Sequence, residues 1–240
     1  MNARRAIAFS LVVVAMVFGA TATARAGEVT YTPMTDGSTY AHWAHPEARG
    51  LVFRYPSASA AVVTRLHLDT ESGNPEVYPV LQRHVDADGA RWLQVAIAMR
   101  PNGQRGWVRE HSMGPIYRVT TRLVVNRARL RATLVERGRV VWMSRVGVGA
   151  PATPTPPGAT WVRERLVVAD ASGPYGPRAI GTAAYSRLTD WPGGGVVGLH
   201  GTDRPDLIPG RPSHGCIRIP NAAILKLYPR LPIGTPIEIV

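Results

Sequence analysis

The single cysteine of this sequence lies in a short run of residues whose types suit nucleophilic chemistry. Cys216 ends the run Ser213-His214-Gly215-Cys216, and a second histidine, His200, precedes it in the chain. A cysteine acts as a nucleophile in its thiolate form, and a nearby imidazole can accept the thiol proton and stabilise the ion pair. The sequence therefore predicts Cys216 as a nucleophile and His200 as the group that takes up and returns its proton.

An imidazole in this role needs a hydrogen-bond acceptor that orients its other ring nitrogen. The carbonyl of Gly201 and the carboxylate of Asp203 both follow His200 in the sequence, and either could serve. On the cysteine side, Gly215 allows the backbone to approach a substrate closely. The N–H groups of Gly215 and Cys216 are candidates for stabilising an oxyanion.

Two short strands are predicted to position these side chains. Residues 196–199 indicate a buried strand that ends at His200, and residues 217–219 indicate a strand that follows Cys216. A loop rich in proline, glycine and aspartate joins the two strands. A histidine at the end of one strand and a cysteine entering the next can meet across such a loop, so we expect the two side chains to share one site.

The second half of the chain has the pattern of a β protein. Residues 129–134 alternate hydrophobic and polar side chains, which predicts a half-buried strand, and residues 140–148 are expected to return as its hairpin partner. Asn221 is expected to cap a single helix of about two turns at residues 222–228. We therefore predict a mainly β fold over residues 115–240 that has one short helix.

Residues 42–114 show a different pattern, with short apolar runs separated by turn sequences. Several short strands at such close spacing predict a small barrel. The run that ends in Gly-Trp-Val at residues 106–108 resembles bacterial SH3-like domains. Residues 27–41, which precede this domain, are polar and rich in turn formers, and they predict a flexible lead. We expect a domain boundary near Gly114.

The N-terminus has the features of an export signal. Arg4 and Arg5 precede an apolar run at residues 6–20, and Ala-Arg-Ala at residues 24–26 supplies a small-residue cleavage pattern. The apolar run is shorter than the ~20 residues that a membrane-spanning helix needs. We predict a signal peptide at residues 1–26, export to the periplasm or cell wall, and no membrane span after cleavage. An uncleaved anchor is the alternative.

The composition restricts the partners that can be expected. The 240 residues have a formal net charge of +12, and loss of the three arginines in residues 1–26 would leave +9. A charge of +9 suits an anionic neighbourhood such as a cell wall or a membrane surface. The alternative is that the arginines only keep a β-rich surface soluble. Nucleic acid is not expected as a partner outside the cell. One cysteine excludes an intrachain disulfide and an all-cysteine zinc site.

The segment from His200 to Arg218 resembles the signature of the L,D-transpeptidase family, whose catalytic domain is of the YkuD type. In that pattern a histidine is followed by Ser/Thr-His-Gly-Cys and then by Asn or Arg, and this sequence matches it at His200, at residues 213–216 and at Arg218. Three further segments resemble turns of the family, at residues 153–158, 173–176 and 234–236. The resemblance covers about residues 115–240, half of the chain. It implies that these residues form a β-sandwich catalytic domain.

The resemblance implies a cysteine acyltransferase that acts on peptidoglycan stem peptides and uses no cofactor or metal. Cys216 would attack the third residue of a tetrapeptide donor, release the terminal D-alanine and form a thioester. An amine acceptor from another stem, or water, would then resolve the thioester. His200 would transfer the protons, and the Gly201 carbonyl would orient its imidazole.

The resemblance also gives supporting roles to the other residues of the signature. Ser213 and Gly215 would support the site, and His214 would shape it and hold substrate. Arg218 would pair with a substrate carboxylate, for which a bidentate guanidinium is well suited. The structural alternatives are that His214 only supports its loop and that Arg218 is an ordinary arginine on the face of a strand.

Three other functions stay open on the sequence alone. A papain-like peptidase of the NlpC type also pairs cysteine with histidine, but its cysteine precedes its histidine, whereas no histidine follows Cys216 here. A zinc module could draw its ligands from His200, His214 and Cys216. A non-catalytic wall-binding protein would need only the SH3-like region and the positive charge, and it would leave the thiol without a role.

Overall fold

The computed structural model describes residues 30–190 and 192–240, which fold into two β-sheets. The described part of the chain is mainly β, as the sequence predicts, and it has one α-helix, α1 (Asn221–Leu227). The predicted signal peptide, residues 1–26, lies outside the described residues. No helix within the described ranges is long and apolar enough to cross a membrane.

The first sheet contains eight strands. They are β1 (Thr30–Pro33), β2 (Ala41–Pro46), β3 (Leu51–Phe53), β4 (Val62–Arg65), β5 (Tyr78–Val85), β6 (Arg91–Ala96), β7 (Arg105–Arg109) and β8 (Met113–Val119). The strand order is β4-β3-β7-β6-β5-β2-β8, and β1 pairs with β5. The pairs are antiparallel.

Residues 30–33 differ from the expectation of a flexible lead. They form β1, which pairs with residues 82–85 of β5. Tyr31 stacks on the imidazole of His84, with ring centroids 4.4 Å apart. Strand formation here depends on pairing with β5, which is distant in the sequence, rather than on local pattern. The resemblance of this sheet to SH3-like domains stays a prediction.

The second sheet contains ten strands. They are β9 (Thr121–Asn126), β10 (Arg131–Glu136), β11 (Arg139–Arg145), β12 (Gly147–Gly149), β13 (Gly158–Val167), β14 (Arg178–Tyr185), β15 (Val196–His200), β16 (Gly210–Ser213), β17 (Ile217–Arg218) and β18 (Pro236–Ile239). Their order is β11-β10-β9-β18-β13-β14-β15-β17-β12-β16. Strands β15 and β17 are parallel neighbours, which matters for the positions of the predicted histidine and cysteine.

One hydrophobic core lies between the second sheet and the helix. Leu123, Leu134 and Leu199 of the strands are fully buried in it, together with Ile224 and Leu227 of α1. The two helix residues are three positions apart and therefore lie on the same face of the helix. Packing of that face holds α1 against the sheet.

The helix begins one residue earlier than predicted, and its cap is different. Pro220 occupies the N-cap position and makes no side-chain hydrogen bond there. The Asn221 side chain instead accepts a hydrogen bond from the Thr202 N–H at 2.8 Å. The capping prediction for Asn221 is therefore wrong, because its amide ties the start of the helix to the loop that follows His200.

The two sheets meet through a set of buried contacts. Val77, Trp161 and Ala183 form a small hydrophobic cluster, and the Trp161 indole donates to the Val77 carbonyl at 2.9 Å. Beside this cluster the Arg163 guanidinium binds the Glu76 carboxylate, with Nε 2.6 Å from Oε1. Arg163 is 5% exposed and Glu76 is 2% exposed, so removal of either side chain would leave the other charge buried without this partner.

Candidate active site

Strands β15 and β17 bring the predicted nucleophile and the predicted proton carrier to one place. His200 is the last residue of β15 and lies opposite Arg218 of β17. Cys216 directly precedes β17, and its sulfur accepts a hydrogen bond from the Gly198 N–H of β15 at 3.4 Å. The parallel pairing therefore places the cysteine beside the end of the strand that provides the histidine.

Cys216 and His200 line a common cavity of about 180 Å³. The other residues that line it are Pro174, Tyr175, Ser186, Val196, Val197, Ser213, His214 and Arg218. Of the predicted site residues, Gly201 and Gly215 are not among the lining residues, and their backbone groups bind His200 and Ser213. Within the described ranges, no group of three or more His, Cys, Asp and Glu side chains is placed to hold a metal ion.

The His200 imidazole is buried and is oriented by the residue that follows it. Its Nδ1 lies 2.6 Å from the Gly201 carbonyl oxygen, which can only accept a hydrogen bond. Nδ1 therefore holds the proton, and Nε2 has a free lone pair. Burial lowers the pKa of His200 to about 4, although the Gly201 hydrogen bond partly opposes this. Of the two orienting groups that the sequence offers, the structure selects Gly201, and Asp203 acts only through its charge.

The Cys216 thiol is held in its neutral form. Burial raises the pKa of the thiol, and the Gly198 N–H and the positive charge of Arg218 oppose this only in part. Because the pKa of His200 is low and that of Cys216 is high, the resting pair is a thiol and a neutral imidazole. Such an imidazole can accept the thiol proton at the moment the sulfur reacts.

The turn from Ser213 to Cys216 is fixed by its own polar groups. Ser213 Oγ donates to the Cys216 carbonyl at 2.6 Å and accepts from the Gly215 N–H at 3.2 Å. Gly215 has a φ of 127°, and a Cβ there would lie 3.0 Å from the Cβ of Ser186, so only glycine fits. The Gly215 N–H is thus occupied, which corrects its prediction as an oxyanion donor. The Cys216 N–H has no partner among the described residues and stays a candidate.

Thr155 supports the reactive turn from behind and was not predicted. Its hydroxyl donates to the Gly215 carbonyl at 2.8 Å and accepts from the Gly149 N–H at 2.9 Å. Nearby, the Ala150 N–H donates to the Ser213 carbonyl at 2.8 Å. Thr155 is 1% exposed. In the sequence it is one threonine among prolines, and nothing local distinguishes a buried bridging hydroxyl from an ordinary turn residue.

Tyr175 and Asn221 complete the surroundings of His200. The Tyr175 ring meets the imidazole edge to face, with centroids 4.9 Å apart. Behind the imidazole, the Asn221 amide binds the Thr202 N–H, and a Cβ on Gly201 would lie 2.3 Å from its Oδ1. Gly201 must therefore be glycine for the loop to close, and this close approach holds the carbonyl that orients the imidazole.

Arg218 and His214 form the polar part of the cavity wall. The Nε of Arg218 is buried and has no hydrogen-bond partner in the part of the chain that the structure describes. Its positive charge lowers the pKa of both His200 and Cys216. His214 is exposed and lines the same cavity. A positively charged guanidinium in a cavity lining suits an anionic ligand group.

Comparisons with known proteins agree with the geometry. The family model described as the L,D-transpeptidase catalytic domain (YkuD) matches residues 120–239. No curated protein sequence matches the chain at a significant level.

Solved structures of the same family also align with the chain. The catalytic domain of an E. faecium L,D-transpeptidase is 22% identical, with a TM-score of 0.38, over 50% of this chain and 96% of that one. An L,D-transpeptidase from Mycobacterium smegmatis is 16% identical, with a TM-score of 0.41, over 63% of this chain and 91% of that one. Mycobacterium tuberculosis L,D-transpeptidase 1 is 17% identical, with a TM-score of 0.36, over 57% and 77%.

The match to the family model includes every residue that forms the cavity around Cys216. It spans residues 120–239 of 240, which is half of the chain. The protein therefore belongs to the L,D-transpeptidase (YkuD) catalytic domain family.

Proposed function

We propose that the protein is an exported L,D-transpeptidase that transfers peptidoglycan stem peptides through a thioester on Cys216. One observation supports this most directly. The thiol shares a cavity with an imidazole whose Nδ1–H is bound to the Gly201 carbonyl. That bond leaves Nε2 of His200 free to accept the proton that the thiol must lose.

In the first half-reaction the Cys216 sulfur attacks the carbonyl carbon of the third residue of a tetrapeptide donor. The thiol proton passes to Nε2 of His200 as the C–S bond forms. The tetrahedral intermediate then breaks its C–N bond, and the imidazolium gives the proton to the departing amine of D-alanine. The products are a thioester and free D-alanine. We assign the Cys216 N–H to the oxyanion.

In the second half-reaction an amine of another stem, or water, attacks the thioester carbonyl. The nucleophile loses a proton to His200, and the C–S bond breaks. The thiolate of Cys216 recovers a proton from the imidazolium, which returns both groups to their neutral resting forms. An amine acceptor gives a cross-link, and water gives a trimmed tripeptide.

We assign Arg218 to a carboxylate of the stem peptide and His214 to the mouth of the substrate site. The position of Arg218 in the lining of the cavity that holds Cys216 supports the first assignment. A guanidinium binds a carboxylate through two parallel N–H···O bonds, which fixes the orientation of the peptide as well as its affinity. Ser213 and Gly215 act through the turn that presents Cys216.

The proposed organisation follows the predicted boundaries. Residues 1–26 form a signal peptide, residues 27–41 a lead that includes β1, residues 42–114 an SH3-like domain and residues 115–240 the catalytic domain. Export to the periplasm or cell wall places the cysteine beside its substrate. Support for export comes from the sequence pattern at residues 4–26.

Intact-protein mass spectrometry tests the proposal. Residues 27–240 are incubated with a disaccharide-tetrapeptide, and we expect an adduct of acyl-tripeptide mass together with free D-alanine. Cys216→Ala should give neither product. Arg54→Ala, at an exposed site after β3, should give both. If the unchanged chain yields no adduct, no D-alanine and no cross-linked or trimmed peptide, the assignment is wrong.

A further inference from the structure

The loop between β6 and β7 of the first sheet reaches the cavity wall of the second sheet. Its Arg100 guanidinium donates to three backbone carbonyls, those of Ser186 at 2.6 Å, Leu188 at 3.1 Å and Gly194 at 2.9 Å. Two of these residues follow β14 and the third precedes β15. One side chain therefore holds together the segment that leaves the sheet and the segment that re-enters it.

Asn102 makes a second link from the same loop. Its Nδ2 donates to the Tyr185 carbonyl and its Oδ1 accepts from the Tyr185 N–H, each at 2.9 Å. The side-chain amide thus pairs with Tyr185 as a residue of a neighbouring strand would. The Arg100 guanidinium also lies over the Tyr185 ring, 4.9 Å from its centroid. The last residue of β14 is bound by both its backbone and its ring.

These contacts lead to Cys216 in two short steps. Ser186, whose carbonyl Arg100 binds, lines the cavity, and its N–H donates to the Gly195 carbonyl at 2.8 Å. Its Cβ packs so closely on Gly215 that a Cβ added there would lie 3.0 Å away. Because Gly215 directly precedes Cys216, the position of Ser186 determines the width of the cavity beside the sulfur.

The chemistry of the Arg100 contact requires an arginine. Three converging carbonyl oxygens repel one another, and a guanidinium satisfies them with N–H donors in a rigid planar fork. A lysine ammonium would keep the charge but would lack this fork. Arg100 is itself exposed, unlike the buried pair of Arg163 and Glu76. Its loss should therefore affect the cavity wall rather than the cohesion of the two sheets.

We propose that Arg100 and Asn102 are positioning residues for the transfer reaction, through which the first sheet fixes the cavity wall beside Cys216. The catalytic part of this inference rests on the proposed function. With this role, the first sheet contributes to the reaction directly. The contribution does not require the sheet to bind a component of the cell wall.

Hydrogen exchange tests the contact without relying on activity. In residues 27–240, Arg100→Ala should speed exchange of the Ser186 amide about tenfold, and Asn102→Ala should do the same for the Tyr185 amide. Arg54→Ala removes an equal charge from an exposed site of the same sheet and should change neither rate. Unchanged exchange at both amides would overturn the proposal, whatever reaction the chain catalyses.

Steady-state kinetics with the disaccharide-tetrapeptide test the consequence for the reaction. We expect kcat/KM to fall about tenfold in Arg100→Ala, because small displacements of a substrate site have effects of this order. Arg100→Lys should recover only part of the loss. The acidic limb of the pH–rate profile should not move, since His200 is not in contact with the substituted residue.

The possible outcomes separate the two proposals. A kcat/KM within about twofold of the unchanged chain, in both Arg100→Ala and Asn102→Ala, would overturn the positioning role even if exchange is faster. Asn102→Ala keeps the guanidinium in place, so it serves as the second variant if Arg100→Ala folds poorly. An unchanged chain with no transfer activity would instead contradict the proposed function, and the exchange rates would then decide whether the contact exists.

Discussion

At the residue scale, the reactive pair rests in its uncharged form. Burial raises the pKa of the Cys216 thiol and lowers that of His200 to about 4, so an ion pair formed in advance is disfavoured. In the proposed reaction, attack by sulfur therefore coincides with proton transfer to Nε2, the nitrogen that the Gly201 carbonyl leaves unprotonated. On this proposal, protonation of His200 sets the acidic limit of activity.

The neutral resting forms of Cys216 and His200 predict a pH–rate profile whose acidic limb lies far below neutral pH. We expect kcat/KM to stay nearly constant as the pH falls below neutral and to drop by half near pH 4, where His200 becomes protonated and can no longer accept the thiol proton. His200→Asn should lower kcat/KM by about 100-fold or more. Initial rates, with circular dichroism to confirm the fold at each pH, measure this. An acidic limb centred on 6.5, the ordinary pKa of the group, would contradict the buried neutral imidazole.

At the scale of elements, the connection between β12 and β13 holds the reactive turn in place. Thr155→Val keeps the volume of the side chain but leaves the Gly149 N–H and the Gly215 carbonyl unpaired in a buried region. We expect the free energy of unfolding to fall by about 1–3 kcal/mol and kcat/KM to fall as the turn loosens. Thr155→Ser should keep both hydrogen bonds and most of the activity. Urea unfolding measures the stability of the two variants, and initial rates measure their kcat/KM. If Thr155→Val and Thr155→Ser do not differ in either quantity, the hydroxyl has no positioning role.

Elements could be predicted from the sequence where they depend on local pattern. The alternation at residues 129–134 indicated a strand, which is observed as β10, and the apolar run before His200 is observed as β15. The predictions failed where a side chain binds a residue that is distant in the sequence. Asn221 has the residue type of a helix cap, but a backbone N–H 19 residues away binds its amide. Arg100 binds a carbonyl 86 residues away, and no local pattern indicates such a contact.

At the scale of the whole molecule, buried polar contacts make the two sheets depend on each other. Arg163 of the second sheet binds Glu76 of the first. Next to it, the Glu164 carboxylate accepts hydrogen bonds from three side chains before β5, those of Thr70, Ser72 and Asn74. Because these buried contacts join the two sheets and are lost if the sheets separate, we expect the two sheets to unfold together.

Substitution of Glu76 tests this dependence. Glu76→Ala leaves the Arg163 guanidinium buried without that carboxylate, so the free energy of unfolding should fall by about 3–5 kcal/mol. Asp206→Ala breaks an ion pair of two exposed side chains and should change stability little. Calorimetry should show one transition for the unchanged chain and one at lower temperature for Glu76→Ala. Two separate transitions in the unchanged chain would show that the sheets are independent.

A cluster of exposed positive charge lies on the β10–β11 hairpin and its flanking turns, at one edge of the second sheet. Five exposed arginines there form no ion pair with any described carboxylate: Arg129, Arg131, Arg137, Arg139 and Arg145. Arg131 and Arg145 lie directly opposite each other in the strand register, an arrangement that destabilises a hairpin. Solubility alone does not require two like charges to face each other in this way.

These clustered arginines would bind an anionic cell wall, and the melting temperature and retention on the wall test this. Arg131→Thr should slightly raise the melting temperature, because it relieves the repulsion with Arg145, yet it should weaken retention on isolated cell-wall fragments. Retention should also decrease as salt rises, since added ions screen charges at an exposed surface. Arg54→Thr, on the first sheet, is the control and should weaken retention less. If retention responds neither to salt nor to Arg131→Thr, the arginines serve solubility, and recognition of the wall falls to the cavity around Cys216 and to the first sheet.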